Sequence, residues 1–272
     1  MFTRNHDIVT IMCVYKNDSL ESFLKAVDSI INQSKPSDIF IFRDGDVSNE
    51  LENYLNEINE EKFVQVFKST QNVGLAKGLN NLIDSALEFG YPYIARMDSD
   101  DISRIYRFEK QVAFLESNHS VDVLGGACCE FGASFSLDKK VLPTNHEELY
   151  NFSITRCPFI HPTVMFRSSV FENGTKYPTD THYSEDMGLW FYLLKNNYVF
   201  ANLDDVLLDY YLDERTISRR KGFLKFKSEF LLRLKYMIEL KRVSIYNATM
   251  IFARFVFHLA PEFIIKFLYK VR

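Results

Sequence analysis

Between residue 7 and about residue 125, short apolar runs rich in β-formers alternate with segments whose apolar residues recur at helical spacing. A chain that switches repeatedly between these two periods folds as a parallel sheet with crossover helices, since each helix must return the chain to the same edge. Strands are expected near 8–14, 38–43, 63–67, 93–97 and 121–125. Leu20 to Ile31 places Phe23, Leu24, Val27, Ile30 and Ile31 on one helical face, as a crossover helix requires. A second helix should start around Asn49, whose spacing to Glu52 fits a capping box. A third should run from about Leu75 to Phe89, where Gly90 and Pro92 stop it. From 126 to 218 the alternation is less regular, with a helix expected over Glu185 to Lys195. There is no internal repeat or low-complexity linker.

The fourth strand, Tyr93 to Met97, ends abruptly in Asp98, Asp100 and Asp101, three carboxylates within four residues. Like charges this close repel unless a cation sits among them, and ligands of open α/β sheets bind at the carboxyl ends of strands. A hard divalent ion held by one or two carboxylates keeps its other positions for water and phosphate, so a metal-bridged phosphate substrate is the first expectation. An EF-hand is excluded: Ile102 stands at a ligand position and Ser103 replaces the required glycine. A solvated acidic turn is the plain alternative.

With 272 residues, 47% of them hydrophobic, the chain can bury a large core, and no stretch reads as disordered. Cys13, Cys128, Cys129 and Cys157 form no Cys-x-x-Cys pair, which argues for reduced thiols in a cytosolic chain. The amino terminus lacks the apolar stretch of a signal peptide. Charge is distributed unevenly. Residues 219–272 carry thirteen Lys and Arg against three Asp and Glu, a net +10, leaving −14 for the remainder of a chain whose total is −4. Phe223, Phe226, Phe230, Leu231 and Leu234 recur at helical spacing among lysines and arginines there. The stretch Ala248 to Ile265 is interrupted by Arg254, His258, Pro261 and Glu262, too polar for an ordinary spanning helix. This composition suits helices lying in a membrane surface, or else helices whose apolar faces pack on the rest of the chain. We expect a catalytic unit over 1–218 and a helical, membrane-associating region over 219–272.

Other segments carry weaker local signals. Asp44 ends the strand Ile39 to Phe42 before Gly45, where it can accept a hydrogen bond from a nucleobase or simply make a turn. Asn72 to Asn80 opens a helix, offering backbone N–H groups and Lys77 to an anion, although Gly74 and Gly78 do not make a phosphate-loop spacing. Glu185 and Asp186 begin a helix after Ser184, a candidate cap, and acidic residues favour helix starts for electrostatic reasons alone. His161 precedes Pro162 at the expected start of an apolar strand and reads either as a packed histidine or as one touching a sugar. Arg219 and Arg220 suit a diphosphate or a basic membrane face.

Taken in order, Val14-Tyr15-Lys16-Asn17-Asp18, Asp44-Gly45, Asn72 to Asn80, Arg96-Met97-Asp98-Ser99-Asp100-Asp101, Arg107 to Gln111, His161 to Phe166, Glu185-Asp186 and Arg219-Arg220 resemble glycosyltransferase family 2, an inverting family with the GT-A fold. The likeness is to its bacterial O-antigen and exopolysaccharide branch, including amylovoran biosynthesis enzymes. It implies a mixed, Rossmann-like α/β sheet flanked by helices, followed by the basic helical tail. It implies donor contacts from Cys13, Tyr15, Asp44, Asn72, Lys77, Asp98, Arg219 and Arg220, and a DxD motif in which Asp100 and Asp98 hold Mn2+ or Mg2+ with Asp101 in support. It further implies Asp186, or Glu185 beside it, as general base, and His161 and Trp190 toward the acceptor or sugar. Two departures stand out: Arg43 replaces the acidic residue common before Asp44, and Tyr210-Tyr211 replaces a Tyr-Arg sequence.

The activity so implied is transfer of galactose or glucose from a UDP-sugar to GlcNAc or GalNAc on undecaprenyl diphosphate, forming a β-linkage, with β-1,3 favoured. The partners would be that donor and acceptor and the inner face of the cell membrane, with no nucleic acid. A nucleotidyltransferase with a similar metal site and a non-catalytic, membrane-associated assembly protein are the rival readings.

Overall fold

A computed structural model describes residues 2–181, 184–214, 223–259 and 265–266. The expected alternation builds a parallel block: β1 (Ile8–Tyr15), α1 (Leu20–Ile31), β2 (Asp38–Asp44), α2 (Asn49–Ile58), β3 (Val64–Ser69), α3 (Leu75–Glu88) and β4 (Tyr93–Arg96). β5 (Ile102–Ser103), α4 (Arg107–Ser117), β6 (Val123–Phe131), α5 (His146–Ser153), β7 (Met165–Arg167), α6 (Ser169–Glu172), α7 (Glu185–Lys195) and β8 (Phe200–Tyr211) follow. Two final helices, α8 (Phe223–Glu239) and α9 (Ile245–Leu259), end the described order.

One sheet runs in the order β3-β2-β1-β4-β7-β6-β8-β5. β1 pairs in parallel with β2 and β4, β2 with β3, and β6 with β8, whereas β7 is antiparallel to both β4 and β6. The expected mixed sheet flanked by helices is therefore present. Alternation along β1 sends Ile8, Met12 and Val14 to one face and Val9 and Ile11 to the other, and β2 divides Ile39 and Ile41 from Phe40 and Phe42 in the same way. Each face thus has its own core, and the polar ends of β1, β2 and β4 meet at one edge.

Local chemistry explains most boundaries and corrects four expectations. Ser19 caps α1 by accepting from Ser22 N. For α2 the cap is Ser48, accepting from Leu51 N, and Asn49 is the first helical residue. Ser184 precedes α7 without a side-chain capping bond. His161 does not open a strand: His161–Thr163 is a single 3-10 turn, because Thr163 folds back with its Oγ1 on Ile160 O at 2.7 Å, and β7 begins only at Met165. β6 also runs beyond its expected end, since β8 pairs with it as far as Phe131 across a register shift at Gly126–Cys128.

α8 packs on the main body through residues spaced for one helical face. Tyr236, Met237 and Leu240, with Ile251 of α9, belong to the same core as Trp190 and Phe191, and Tyr236 stacks on Phe191 at 4.8 Å. Arg233, fully enclosed, donates to Ser153 O and Ile154 O at 3.0 and 2.7 Å and to Glu229 at 2.9 Å. Burial lowers its pKa to about 10, with the Arg254 charge acting in the same direction. One face of the basic region is thereby committed to the protein interior.

Candidate active site

β4 stops at Arg96 and the chain turns through the acidic cluster at the edge where β1 and β2 also end. Oxygen atoms of Asp98, Asp100 and Asp101 lie within 4.8 Å of one another. Asp101 Oδ1 accepts from Tyr211 N at 2.7 Å, while its buried Oδ2 has no hydrogen-bond partner among the described residues. A buried carboxylate oxygen left without a donor is costly unless something else meets it. Burial, followed by the charges of Asp98 and Asp18, raises the Asp100 pKa to about 7. Burial and the charges of Asp98 and Asp100 push Asp101 well up. These hard oxygen ligands, mutually repelling and under-satisfied, fit a divalent cation.

Two arginines support the turn from inside. Arg96 pairs with Asp98 through Nη2, but its buried Nε and Nη1 have no hydrogen-bond partner among the described residues. Burial opposes the Arg96 charge, yet Asp98, Tyr177 and Asp101 together outweigh it, leaving its pKa raised. Beneath it, Arg107 donates to Arg96 O at 2.8 Å, and burial lowers its pKa to about 9 against the attraction of Asp101. Asp18 completes the acidic group. It receives Tyr15 N at 2.9 Å, and burial raises it to about 6 despite hydrogen bonds from Tyr15 and Ser99.

Asp44 ends β2 opposite Tyr15 and anchors the approach to α3: Oδ1 and Oδ2 accept from Val73 N and Gly74 N at 2.6 and 3.0 Å. Each oxygen keeps acceptor capacity for a further N–H. Asn72 donates to Asp44 O at 3.2 Å. α3 closes tightly over this edge because residue 78 is glycine; a Cβ there would meet Phe42 and Cys13 at 2.8 and 2.9 Å. Cys13 stays a neutral thiol, its pKa pushed up by burial. Lys77 is exposed and has no hydrogen-bond or ion-pair partner among the described residues.

At the first turn of α7, Asp186 Oδ1 accepts from Met187 N at 2.7 Å, and Oδ2 takes a contact from the Cys157 thiol at 3.8 Å. Burial, with the Asp186 charge, pushes that thiol up to about 12. Tyr177 links the two halves of the site. Its backbone is clamped by Asn80 of α3, at 2.9 and 2.8 Å, and its hydroxyl lies 2.8 Å from His161 Nε2. The Tyr177 pKa is raised by burial, with Arg96 on one side lowering it and Asp186 and Glu185 on the other raising it. His161 stays neutral, driven well down by burial and by the Arg96 charge.

Cys13, Tyr15, Asp44, Asn72, Asp98 and Asp100 thus meet at one sheet edge, and Tyr177 spans from there to Asp186 and Glu185. Arg219 and Arg220 lie outside the described residues. Trp190 corrects an expectation: the side chain is fully buried, packed against Phe159, His161, Phe166 and Phe200, where no sugar can reach it. Its place is decided by α7, which is buried on nearly every side. Asp18 and Arg96 enter the sequence reading only as letters of longer motifs, although an arginine inside an apolar strand run is itself a local signal. Tyr177 and Cys157 have none; their roles depend on partners far along the chain.

A nucleotide-type parallel block, an acidic turn at its carboxyl edge and an antiparallel continuation define a GT-A glycosyltransferase fold. Residues 10–174 match glycosyl transferase family 2, and the chain belongs to that family. It is 29% identical over 263 residues to the amylovoran biosynthesis glycosyltransferase AmsE of Erwinia amylovora, covering 96% of this chain and 97% of that one. It is 31% identical over 216 residues to the Escherichia coli UDP-Gal:alpha-D-GlcNAc-diphosphoundecaprenol beta-1,3-galactosyltransferase, covering 78% of this chain and 76% of that one. Among solved structures, S. aureus TarS 1–349 in complex with UDP-GlcNAc superposes with a TM-score of 0.64 at 17% identity, covering 89% of this chain and 69% of that one. The chain spans 43% of the longer TarS structure. The protein is therefore a family 2 glycosyltransferase.

Proposed function

We propose that the protein transfers galactose or glucose from a UDP-sugar, with inversion, to GlcNAc or GalNAc carried on a lipid diphosphate, giving a β-linkage, β-1,3 in the favoured case. The observation that carries this reading is the separation of roles on the two sides of Tyr177. An under-satisfied acidic turn backed by Arg96 stands on one side, Asp186 stands on the other, and Tyr177 lies in electrostatic range of both. The relative named as a UDP-galactose transferase acting on a diphosphoundecaprenol acceptor supports the donor and acceptor classes. Residues 1–218 carry the chemistry and 219–272 hold the enzyme against the inner face of the membrane.

Asp44 accepts a uracil N–H while Cys13 and Tyr15 line the base pocket, and Asn72 and Lys77 face the donor. Asp98 and Asp100, supported by Asp101, hold Mn2+ or Mg2+, which when bound supplies charge neutralisation for the departing diphosphate. Arg96 fixes Asp98 and keeps positive potential behind it; a diphosphate role for Arg219 and Arg220, which lie outside the described residues, follows from the family resemblance alone. Asp186, with Glu185 beside it, accepts the proton of the acceptor hydroxyl as that oxygen attacks the anomeric carbon opposite the leaving group. His161 is neutral and fixed to Tyr177, so it serves as a hydrogen-bonding wall toward the sugar.

The test is UDP release with mass detection of product, using a panel of UDP-sugars, Mn2+ and GlcNAc- or GalNAc-diphosphate-lipids, with Asp186→Ala alongside. Acceptor-dependent product, reduced about a thousandfold in the variant, is expected. Release of pyrophosphate from a nucleoside triphosphate, or a fully active variant, would overturn the reading.

A further inference from the structure

α8 and α9 divide their residues sharply between two faces. Glu229, Arg233, Tyr236, Met237, Leu240 and Ile251 face the protein. The opposite side of α8 exposes Lys227, Leu231, Lys235 and Ile238 at successive helical turns, leading into an exposed connection, Lys241-Arg242-Val243-Ser244-Ile245-Tyr246. Ile245 is 88% exposed, and Val243 and Tyr246 are each 67% exposed. Single exposed apolar residues need no explanation, but a contiguous group of this size does.

The connection is well built. Lys241 takes the left-handed conformation that ends a helix, at φ 55°, and Arg242 N donates back to Met237 O at 2.9 Å. Ser244 Oγ receives Asn247 N at 3.0 Å and so caps α9. Asn247 Nδ2 ties the two helix ends together through Arg242 O at 2.8 Å. Val243, Ile245 and Tyr246 are therefore held outward by a hydrogen-bonded turn that prevents them from folding back onto the core.

Charge identifies what the face meets. Its ionised groups are Lys227, Lys235, Lys241 and Arg242. The acidic residues of α8 are turned away: Glu229 is buried against Arg233 and Arg254, and Glu239 pairs with Lys195 at 3.0 Å. Apolar side chains flanked by basic ones, with no outward carboxylate from α8 or the connection, complement an anionic lipid surface, where the apolar groups enter the headgroup boundary and the cations meet phosphate. No helix among the described residues is long and apolar enough to cross a bilayer.

We propose that the outer face of α8 and the Lys241–Tyr246 connection dock on an anionic bilayer surface, with Val243, Ile245 and Tyr246 as the inserted wedge. The proposal rests on the lipid-linked acceptor reading for its purpose, but its test needs no turnover. The full chain is sedimented with vesicles of phosphatidylcholine alone or with added phosphatidylglycerol, beside Val243→Asp/Ile245→Asp and Lys235→Glu/Lys241→Glu. All four positions are exposed, so unchanged thermal melts are expected. Binding to the phosphatidylglycerol vesicles should weaken with salt and fall about tenfold or more in each double variant. UDP release on a short-chain, water-soluble acceptor should stay at wild-type level. Equal binding by the variants, or no binding by the wild type, would overturn the proposal. A wild-type dimer that Val243→Asp/Ile245→Asp converts to monomer, without vesicle binding, would make this face a contact between copies. Vesicle binding that survives while every donor–acceptor pair fails would leave the docking surface standing and refute the transferase reading alone.

Discussion

The two edges of the parallel block both hold buried carboxylates, and they treat them in opposite ways. At the amino-terminal edge, Asp38 opens β2 and is saturated: Asn5 N, His6 N and Tyr91 Oη donate to Oδ2 at 2.8, 3.2 and 2.6 Å, and His6 Nδ1 lies 2.8 Å from Oδ1. At the carboxyl edge, Asp98, Asp100 and Asp101 crowd together, and one buried Asp101 oxygen has no partner among the described residues. The first arrangement ties the chain's beginning to the sheet and has nothing left to offer a ligand. The second keeps mutually repelling carboxylates together at folding cost, which is the arrangement expected of an edge that meets a ligand rather than of a structural one.

The sharpest way to break this contrast is to alter one acid on each edge. Asp100→Asn keeps the shape but removes a ligand charge, so sugar transfer should fall about a hundredfold or more. Metal-free stability at pH 8 should hold or rise, because repulsion is relieved. Steady-state UDP release and thermal melting check both halves. Asp38→Ala should do the reverse. It strands several buried donors and should lower unfolding free energy by about 3 kcal/mol in urea titrations, while transfer per folded molecule is retained. Loss of transfer without loss of stability at Asp38 would erase the distinction between the edges.

A smaller effect sharpens it. The folded-state pKa values of Asp100, about 7, and Asp18, about 6, lie above the ordinary 3.8, so the fold holds protons the unfolded chain releases. Their favourable contribution is complete below pH 3.8 and is lost as pH rises through about 6 to 7. Without divalent ions, this edge should lower the melting temperature by about 3 °C across that rise, and Asp100→Asn should flatten the dependence. Mn2+ should stabilise more at pH 8 than at pH 5, since it replaces the protons. Melts in chelator and in Mn2+ at both pH values decide it.

Much of the fold could be read residue by residue. α1 and α3 occupy the segments their periodicity marks, α7 lies over the expected residues, and the first four strands stand where the apolar runs lie. These features are carried by neighbours in the chain, where period and propensity act directly. The cap of α2 at Ser48, the 3-10 turn at His161 and the length of β6 were less legible, because each turns on one hydrogen bond or on pairing with a distant strand. The acidic turn was legible as a cluster of charge. Its unmet oxygen was not, since Asp101 is paired by Tyr211, far along the sequence.

The sheet's alternating plan, the acidic end of β4 and the basic, aromatic character of the last fifty or so residues are all written in contiguous stretches of the chain. The interior packing of Trp190, the place of Tyr177 within electrostatic range of Arg96 and Asp186, and the division of α8 into a core face and an outward face arise from long-range packing. A side chain's type sets what it can bond to. Whether it is enclosed, satisfied or left waiting for a ligand depends on surfaces brought together from distant parts of the chain, where burial weakens solvation and every unpaired charge gains weight.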